Sequence, residues 1–121
     1  MANTTERREY LRKLLATEAR IAAVDTDKWT AMRLFDVSKA GIGFIHREPL
    51  ELNKLYSIEF HLPESDALIA CVAIALHCAE LKDKPAYRIG ARFVWITEDD
   101  AERISDYVWQ LAHQERKIDW T

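Results

Sequence analysis

The chain has no surplus of positive charge. Its 121 residues carry 17 Lys and Arg against 20 Asp and Glu, a net charge of −3. No bulk field therefore draws it to nucleic acid or to an anionic membrane, and any anion site must be local. It also has no long apolar run. Nothing in it approaches the roughly 18 consecutive apolar residues of a spanning helix, and its N-terminus is polar, which predicts neither membrane insertion nor a secretory leader. Cysteine is scarce: Cys71 and Cys78 are the only two, both within one apolar stretch. Read as a strand, their odd spacing sets them on opposite faces, which argues against a disulfide and suits a reducing cytoplasm. His46, His61, His77 and His113 show no metal-ligand spacing, and the cysteines form no C-x-x-C signature. Neither paired carboxylates nor a nucleophile–base arrangement is legible, so no residue is assigned to catalysis, to a metal or to a cofactor. Repeats and low-complexity tracts are absent as well.

What is present is enough for one domain spanning residues 1–121 and hardly two. A chain of this size buries about two-thirds of its unfolded surface, so it needs no disulfide or metal staple. Its 49% hydrophobic and 31% charged content is that of an ordinary globular protein. Residues 1–5 are small and polar. From Thr4 to Thr17 the local pattern favours a short helix: Asn3 can cap it, Glu6 can reach back, and Leu11, Leu14 and Leu15 share a face.

Beyond that point the alternation is that of strands. Ala19, Ile21 and Ala23 alternate with Arg20, Ala22 and Val24 over Glu18–Val24. Trp29–Phe35 is a second strand, Gly41–His46 a third, and Leu55–Leu62 a fourth, with Tyr56, Ile58, Phe60 and Leu62 on one face. Leu68–Glu80 has two apolar faces, one with Val72, Ile74, Leu76 and Cys78, the other with Cys71, Ala73, Ala75 and His77. An Ala-rich helix competes there, but bounding turn signals and in-phase β-branched residues favour a strand. Tyr87, Ile89, Ala91, Phe93 and Trp95 mark a sixth. Thr97 then caps a helix with Glu98, Asp99 and Asp100 in its first turn and a stripe of Ala101, Ile104, Val108 and Leu111, ending near Lys117. Of the tryptophans, Trp95 and Trp109 suit core or helix packing and Trp29 a strand. Trp120 falls in the tail, where it could touch a partner. Six strands with short connections and one terminal helix point to an antiparallel β-barrel over residues 18–96 with a C-terminal α-helix over 97–117.

Two short segments carry the candidate chemistry. Arg7, Arg8 and Arg12 place three planar, permanently charged forks in six residues, suited to phosphate oxygens or to the O6/N7 edge of guanine. A charged surface segment is the bland alternative. Asp36, Ser38 and Gly41 form a D-x-S-x-x-G corner between two strands. Asp36 can accept from the N–H donors of guanine, Ser38 can donate to a phosphate, and Gly41 permits φ > 0 or a close backbone approach. These residue types also make plain turns.

Taken together, the R-R-x-x-x-R segment, the D-x-S-x-x-G corner some two dozen residues later and the strand Tyr87-Arg88-Ile89-Gly90-Ala91-Arg92-Phe93 resemble the PilZ domain family, from about Glu6 to near Glu115. The resemblance implies a six-stranded antiparallel β-barrel followed by a helix. It also implies binding of the bacterial second messenger cyclic di-GMP. Arg8 and Arg12 would clamp guanine and phosphate, and Asp36, Ser38 and Gly41 would receive the other side of the ligand. Arg7, just before the pair, looks like the arginine of members that take two stacked ligand molecules. The resemblance sets the arginines of residues 1–17 on a flexible, ligand-clamping segment rather than a stable helix. His77 stands near the point of the fifth strand where members often carry a stacking aromatic, and its flat ring beside Ala73 and Ala75 could serve. The function implied is that of a regulatory receptor or adaptor, not an enzyme. Its arginine segment is ordered by the ligand, and its output passes to a separate effector protein. Monomer and ligand-bridged dimer both remain open. The alternative is an interaction module of the same fold that does not bind the nucleotide. A nucleic-acid module is disfavoured by the acidic balance.

Overall fold

The computed structural model describes residues 17–63 and 65–120. Six strands, β1 (Thr17–Ala23), β2 (Thr30–Val37), β3 (Gly41–His46), β4 (Leu55–His61), β5 (Leu68–Glu80) and β6 (Tyr87–Ile96), precede one helix, α1 (Glu98–Trp120). The strands close into a barrel in the order β1-β2-β3-β6-β5-β4, with β4 returning to β1. Every neighbouring pair is antiparallel. Closure gives each strand a hydrogen-bonded neighbour on both sides.

The interior is built from alternate residues. Tyr56, Ile58 and Phe60 of β4 lie opposite Ala73, Cys71 and Ile69 of β5. Phe44 of β3 lies between Leu34 of β2 and Ile89 of β6. All of these are buried, with Leu34, Phe44, Ile58 and Ala73 fully excluded from solvent. The row of small residues in β5 leaves room for the large side chains opposite, as close packing requires. His46 also points inward, yet both ring nitrogens are engaged. Nε2 lies 2.8 Å from the Thr30 hydroxyl and Nδ1 lies 2.9 Å from the Glu48 carbonyl. With both ring nitrogens engaged inside the fold, His46 is a structural residue.

The helix begins as its sequence dictates. The Asp100 amide donates to Thr97 Oγ1 at 3.1 Å, and the Ala101 amide donates to the Thr97 carbonyl. Ile104 and Leu111 join the barrel core, with Val108 and Tyr107 packed against it. The helical backbone continues to Trp120, past the end expected near Lys117, because no Gly or Pro interrupts it. Trp120 therefore belongs to the helix and not to a tail.

Three β-bulges change the strand readings. In β2–β3 the register slips at Phe35, between Leu34 and Asp36. In β5–β6 it slips twice: at Val94 of β6, where Val72 pairs with Trp95 but Ala73 with Phe93, and at Leu76 of β5. Each extra residue reverses the inward–outward phase beyond it. Trp95 therefore faces solvent at 56% exposure and is no core residue; Trp109 is exposed as well. Trp29 precedes β2 and lies under the Arg20 guanidinium, 4.4 Å from its ring centre.

The bulge at Leu76 also corrects the placement of the cysteines. Both face the interior: Cys71 is buried, and Cys78 packs against the core from a half-buried position. Both are free thiols, and a separation of roughly 20 Å along one extended strand keeps them beyond disulfide reach. Burial, and to a lesser degree the Asp100 carboxylate, pushes the Cys71 thiol up to about 12. A raised folded-state value favours the protonated thiol, so this stabilising contribution is present below the ordinary thiol value of about 8.5 and is lost as pH rises from there. In native protein at neutral pH, a thiol reagent should modify Cys78 before Cys71, with Cys71 reacting only on unfolding. Equal rates by peptide mapping would contradict this burial.

Candidate functional site: a glycine-floored groove on the barrel wall

The bulges at Phe35 and Leu76 bring the site together. Strict alternation from the buried Leu34 would send Asp36 inward and Val37 outward. With Phe35 inserted, Asp36 is exposed and Val37 is buried. Strict alternation from the buried Ala75 would likewise send His77 inward. With Leu76 inserted, His77 is exposed and Cys78 turns in. His77 therefore does not share the face of Ala73 and Ala75 on which it was expected; it stands on the outer wall.

The register then sets Asp36, Gly43, Gly90 and His77 in one row across β2, β3, β6 and β5. The two central positions have no side chain, so the row is a trough with a carboxylate at one end and an imidazole at the other. Phe35 leans over Gly43; a Cβ added there would come within 2.9 Å of the ring. His77 flanks Gly90 at ordinary contact distance, 3.5 Å from where a Cβ would be. On the neighbouring rows Arg88 pairs with Ile45 and Arg92 with Gly41. The groove so formed has a volume of about 530 Å³, and Asp36, Ser38, Gly41, His77, Arg88 and Arg92 are among its lining residues.

The corner between β2 and β3 is held by its own hydrogen bonds. The Ser38 amide donates to the Gly41 carbonyl at 2.9 Å. Ser38 Oγ accepts from the Ala40 and Gly41 amides at 3.2 and 3.3 Å. The Phe93 amide donates to the Ala40 carbonyl at 2.9 Å and ties the corner to β6. Ser38 thus shapes the turn as well as facing the groove. Gly41 does not adopt positive φ. Its requirement is the close approach: a Cβ would meet the Ala91 carbonyl oxygen at 2.1 Å.

The electrostatics of the groove run against the charge of the whole chain. Asp36, Arg88 and Arg92 are exposed, and among the described residues neither arginine has a carboxylate partner. Arg88 instead lies over the face of Phe35, its guanidinium carbon 4.7 Å from the ring centre. Such an exposed cation–π contact is worth about 0.5–1 kcal/mol, enough to orient a guanidinium but not to occupy its donors. Phe35, Arg88 and Arg92 join the site through cross-strand register. The signal that could have found the two arginines is their phase, opposite to Ile89, Ala91 and Phe93, which shares the outer face with Gly90. Arg7, Arg8 and Arg12 lie outside the described residues. Among the described residues no group of His, Cys, Asp and Glu could hold a metal ion, and no helix is long and apolar enough to cross a membrane.

Comparison with known proteins gives one family. The model of the PilZ domain matches residues 6–110. No match is found among curated proteins. Of solved structures, the chain is similar to the inhibitor of motility MotI of Bacillus subtilis, with a TM-score of 0.71 and 13% identity over 83% of this chain and 48% of that one. It is similar to YcgR of Escherichia coli, solved in complex with c-di-GMP, with a TM-score of 0.67 and 16% identity over 85% of this chain and 44% of that one. The PilZ domain of YcgR with c-di-GMP superposes with a TM-score of 0.62 and 15% identity, covering 85% of this chain and 86% of the domain. At these identities the likeness establishes the fold. The chain spans about half the length of MotI and of YcgR.

Two of the groove's three glycines, Gly41 and Gly90, should respond differently to substitution. Gly41→Ala forces a Cβ into backbone and should destabilise the protein by about 1–3 kcal/mol. Gly90→Ala meets only ordinary contacts and should stay within about 0.5 kcal/mol of the wild type. Chemical denaturation of both variants checks the difference; equal stabilities would contradict the close approach at Gly41.

Proposed function

The chain belongs to the PilZ domain family, and from that premise we propose that it is a cyclic di-GMP receptor whose ligand is held between the Asp36–Gly41 corner and the N-terminal arginines. The observation that carries this reading is the convergence of Asp36, Ser38, Gly41 and His77 on one groove. Two of these reach it through bulges. Bulges are over-represented next to functional sites because they re-aim single side chains.

The path of the chain supports the same reading. Thr17, the first residue of β1, pairs with Leu34 of β2, close in sequence to Asp36. The few residues between Arg12 and Thr17 can span at most roughly 18 Å when extended, so Arg12 lies no farther than that from the start of β1. YcgR, which shares this fold, was solved with c-di-GMP.

In the mechanism proposed, each residue has a defined task. Arg8 and Arg12 grip guanine and phosphate, since a guanidinium fork matches two acceptor oxygens or the O6/N7 edge. Asp36 accepts from the N–H donors of a guanine and so discriminates against bases that lack them. Ser38 donates its hydroxyl proton to the ligand while its lone pairs keep the turn. Gly41 lets the corner lie close to β6, and His77 stacks at the far end of the trough. Arg7 provides the additional cation for a second, stacked ligand molecule. Closing the arginine segment over the ligand creates a surface that was absent before, and a separate effector protein reads it. The task is binding, and the ligand leaves unchanged.

Calorimetric titration with cyclic di-GMP tests this reading. The wild type should bind. Arg8→Ala and Asp36→Ala, each removing a charged hydrogen-bonding group worth about 1.5–3 kcal/mol, should weaken binding by about tenfold to a hundredfold or more. Two ligands per chain are expected, falling to one in Arg7→Ala. A folded wild type that does not bind would overturn the receptor reading and leave an interaction module of the same fold.

A further inference from the structure

We propose that Arg88 and Arg92 of β6 are ligand-contacting residues, a cationic jaw on the barrel wall, and that Phe35 is the positioning residue for Arg88. This rests on the receptor reading and goes beyond it, since that reading assigns no role to the wall of β6.

The geometry supplies the reasons. Arg88 and Arg92 stand on either side of Gly90 at alternate positions of one strand, so both project outward over the row that has no side chains. Four strand residues span roughly 13 Å, so the two guanidiniums bracket the open floor along the strand direction. Both line the groove together with Asp36 and His77. Both are exposed, and among the described residues neither is spent on a carboxylate. A cation without an acidic partner beside an open floor has its donors available to an anion.

Arg88 is further prepared by its stack on Phe35. The stack uses the face of the guanidinium and leaves the in-plane N–H donors directed away from the ring. Phe35 itself is the inserted residue of the β2 bulge and is seated over Gly43, so its ring position follows from the fold. Less freedom is then lost when the fork meets a phosphate or a guanine edge, which is the advantage of preorganisation. Arg92, paired with Gly41, lies beside the corner and reaches the ligand from that end.

Titration with cyclic di-GMP of Arg88→Ala, Arg92→Ala, Arg88→Lys, Phe35→Leu and the double variant Phe35→Leu/Arg88→Ala tests the proposal, with thermal melts as the check on folding. Each alanine variant should bind about tenfold to a hundredfold more weakly at an unchanged Tm. Arg88→Lys keeps the charge but loses the planar fork, and should fall between Arg88→Ala and the wild type. Phe35→Leu should weaken binding in the wild-type background and have no further effect once Arg88 is alanine, because a positioning residue acts through its partner. Wild-type binding lost in Asp36→Ala but kept within about twofold in Arg88→Ala and Arg92→Ala would overturn this inference alone. An undiminished effect of Phe35→Leu in the Arg88→Ala background would remove the positioning role. Absence of any wild-type binding would overturn the receptor reading and this inference together.

Discussion

Closing six strands into a ring commits every residue to one of two sides, and the groove exists because two inserted residues break that commitment in the right places. Phe35 in β2 and Leu76 in β5 each reset the phase of their strand. Without them, strict alternation would carry the Asp36 carboxylate and the His77 ring into a core made of Leu34, Phe44 and Ile89. Burying those polar groups unpaired would cost several kcal/mol. With them, the interior keeps its apolar set, since Val37 and Cys78 turn inward where Asp36 and His77 turn out. One device thus serves both packing and site construction.

The remaining features follow from what stands between the bulges. Gly43 and Gly90 face each other across β3 and β6, so the wall is bare backbone at the place where a planar group can lie flat. The Ser38 turn closes one end with hydrogen bonds to its own amides, and the Phe93 amide fastens it to β6. Around this floor an acidic chain assembles a cationic rim. Local placement, not net charge, decides what a surface attracts when charges lie within about a Debye length of the ligand. Groove and fold are coupled here, since Gly41 is both a corner of the groove and a point of close strand contact.

Much of the architecture was legible in the amino-acid order, and what was not has a common cause. The bounds of Gly41–His46 and Leu68–Glu80 were readable from turn residues and alternation, and the face of Tyr56, Ile58 and Phe60 is buried as its period demands. Thr97 announced the helix start through its capping oxygen. The bulges were not readable: Phe35, Leu76 and Val94 are ordinary strand residues with no Gly or Pro to flag an insertion, and the slip becomes visible only against a partner strand. The faces assigned to His77, Cys78 and Trp95 failed for that one reason. The corner residues Asp36, Ser38 and Gly41 were legible as a motif because they are close in sequence. Phe35, Arg88 and Arg92 join them by cross-strand register, which a one-dimensional pattern does not contain.

The central claim is that ligand recognition belongs to this trough and to no other part of the barrel. The most direct measurement is residue-resolved NMR of the chain during addition of cyclic di-GMP. The account predicts amide shifts concentrated at Asp36–Gly43, at His77 and across Arg88–Arg92, with β1, β4 and the far half of α1 nearly unmoved. Shifts centred on α1 or on the opposite wall, with the Gly43 and Gly90 amides unchanged at saturation, would contradict it.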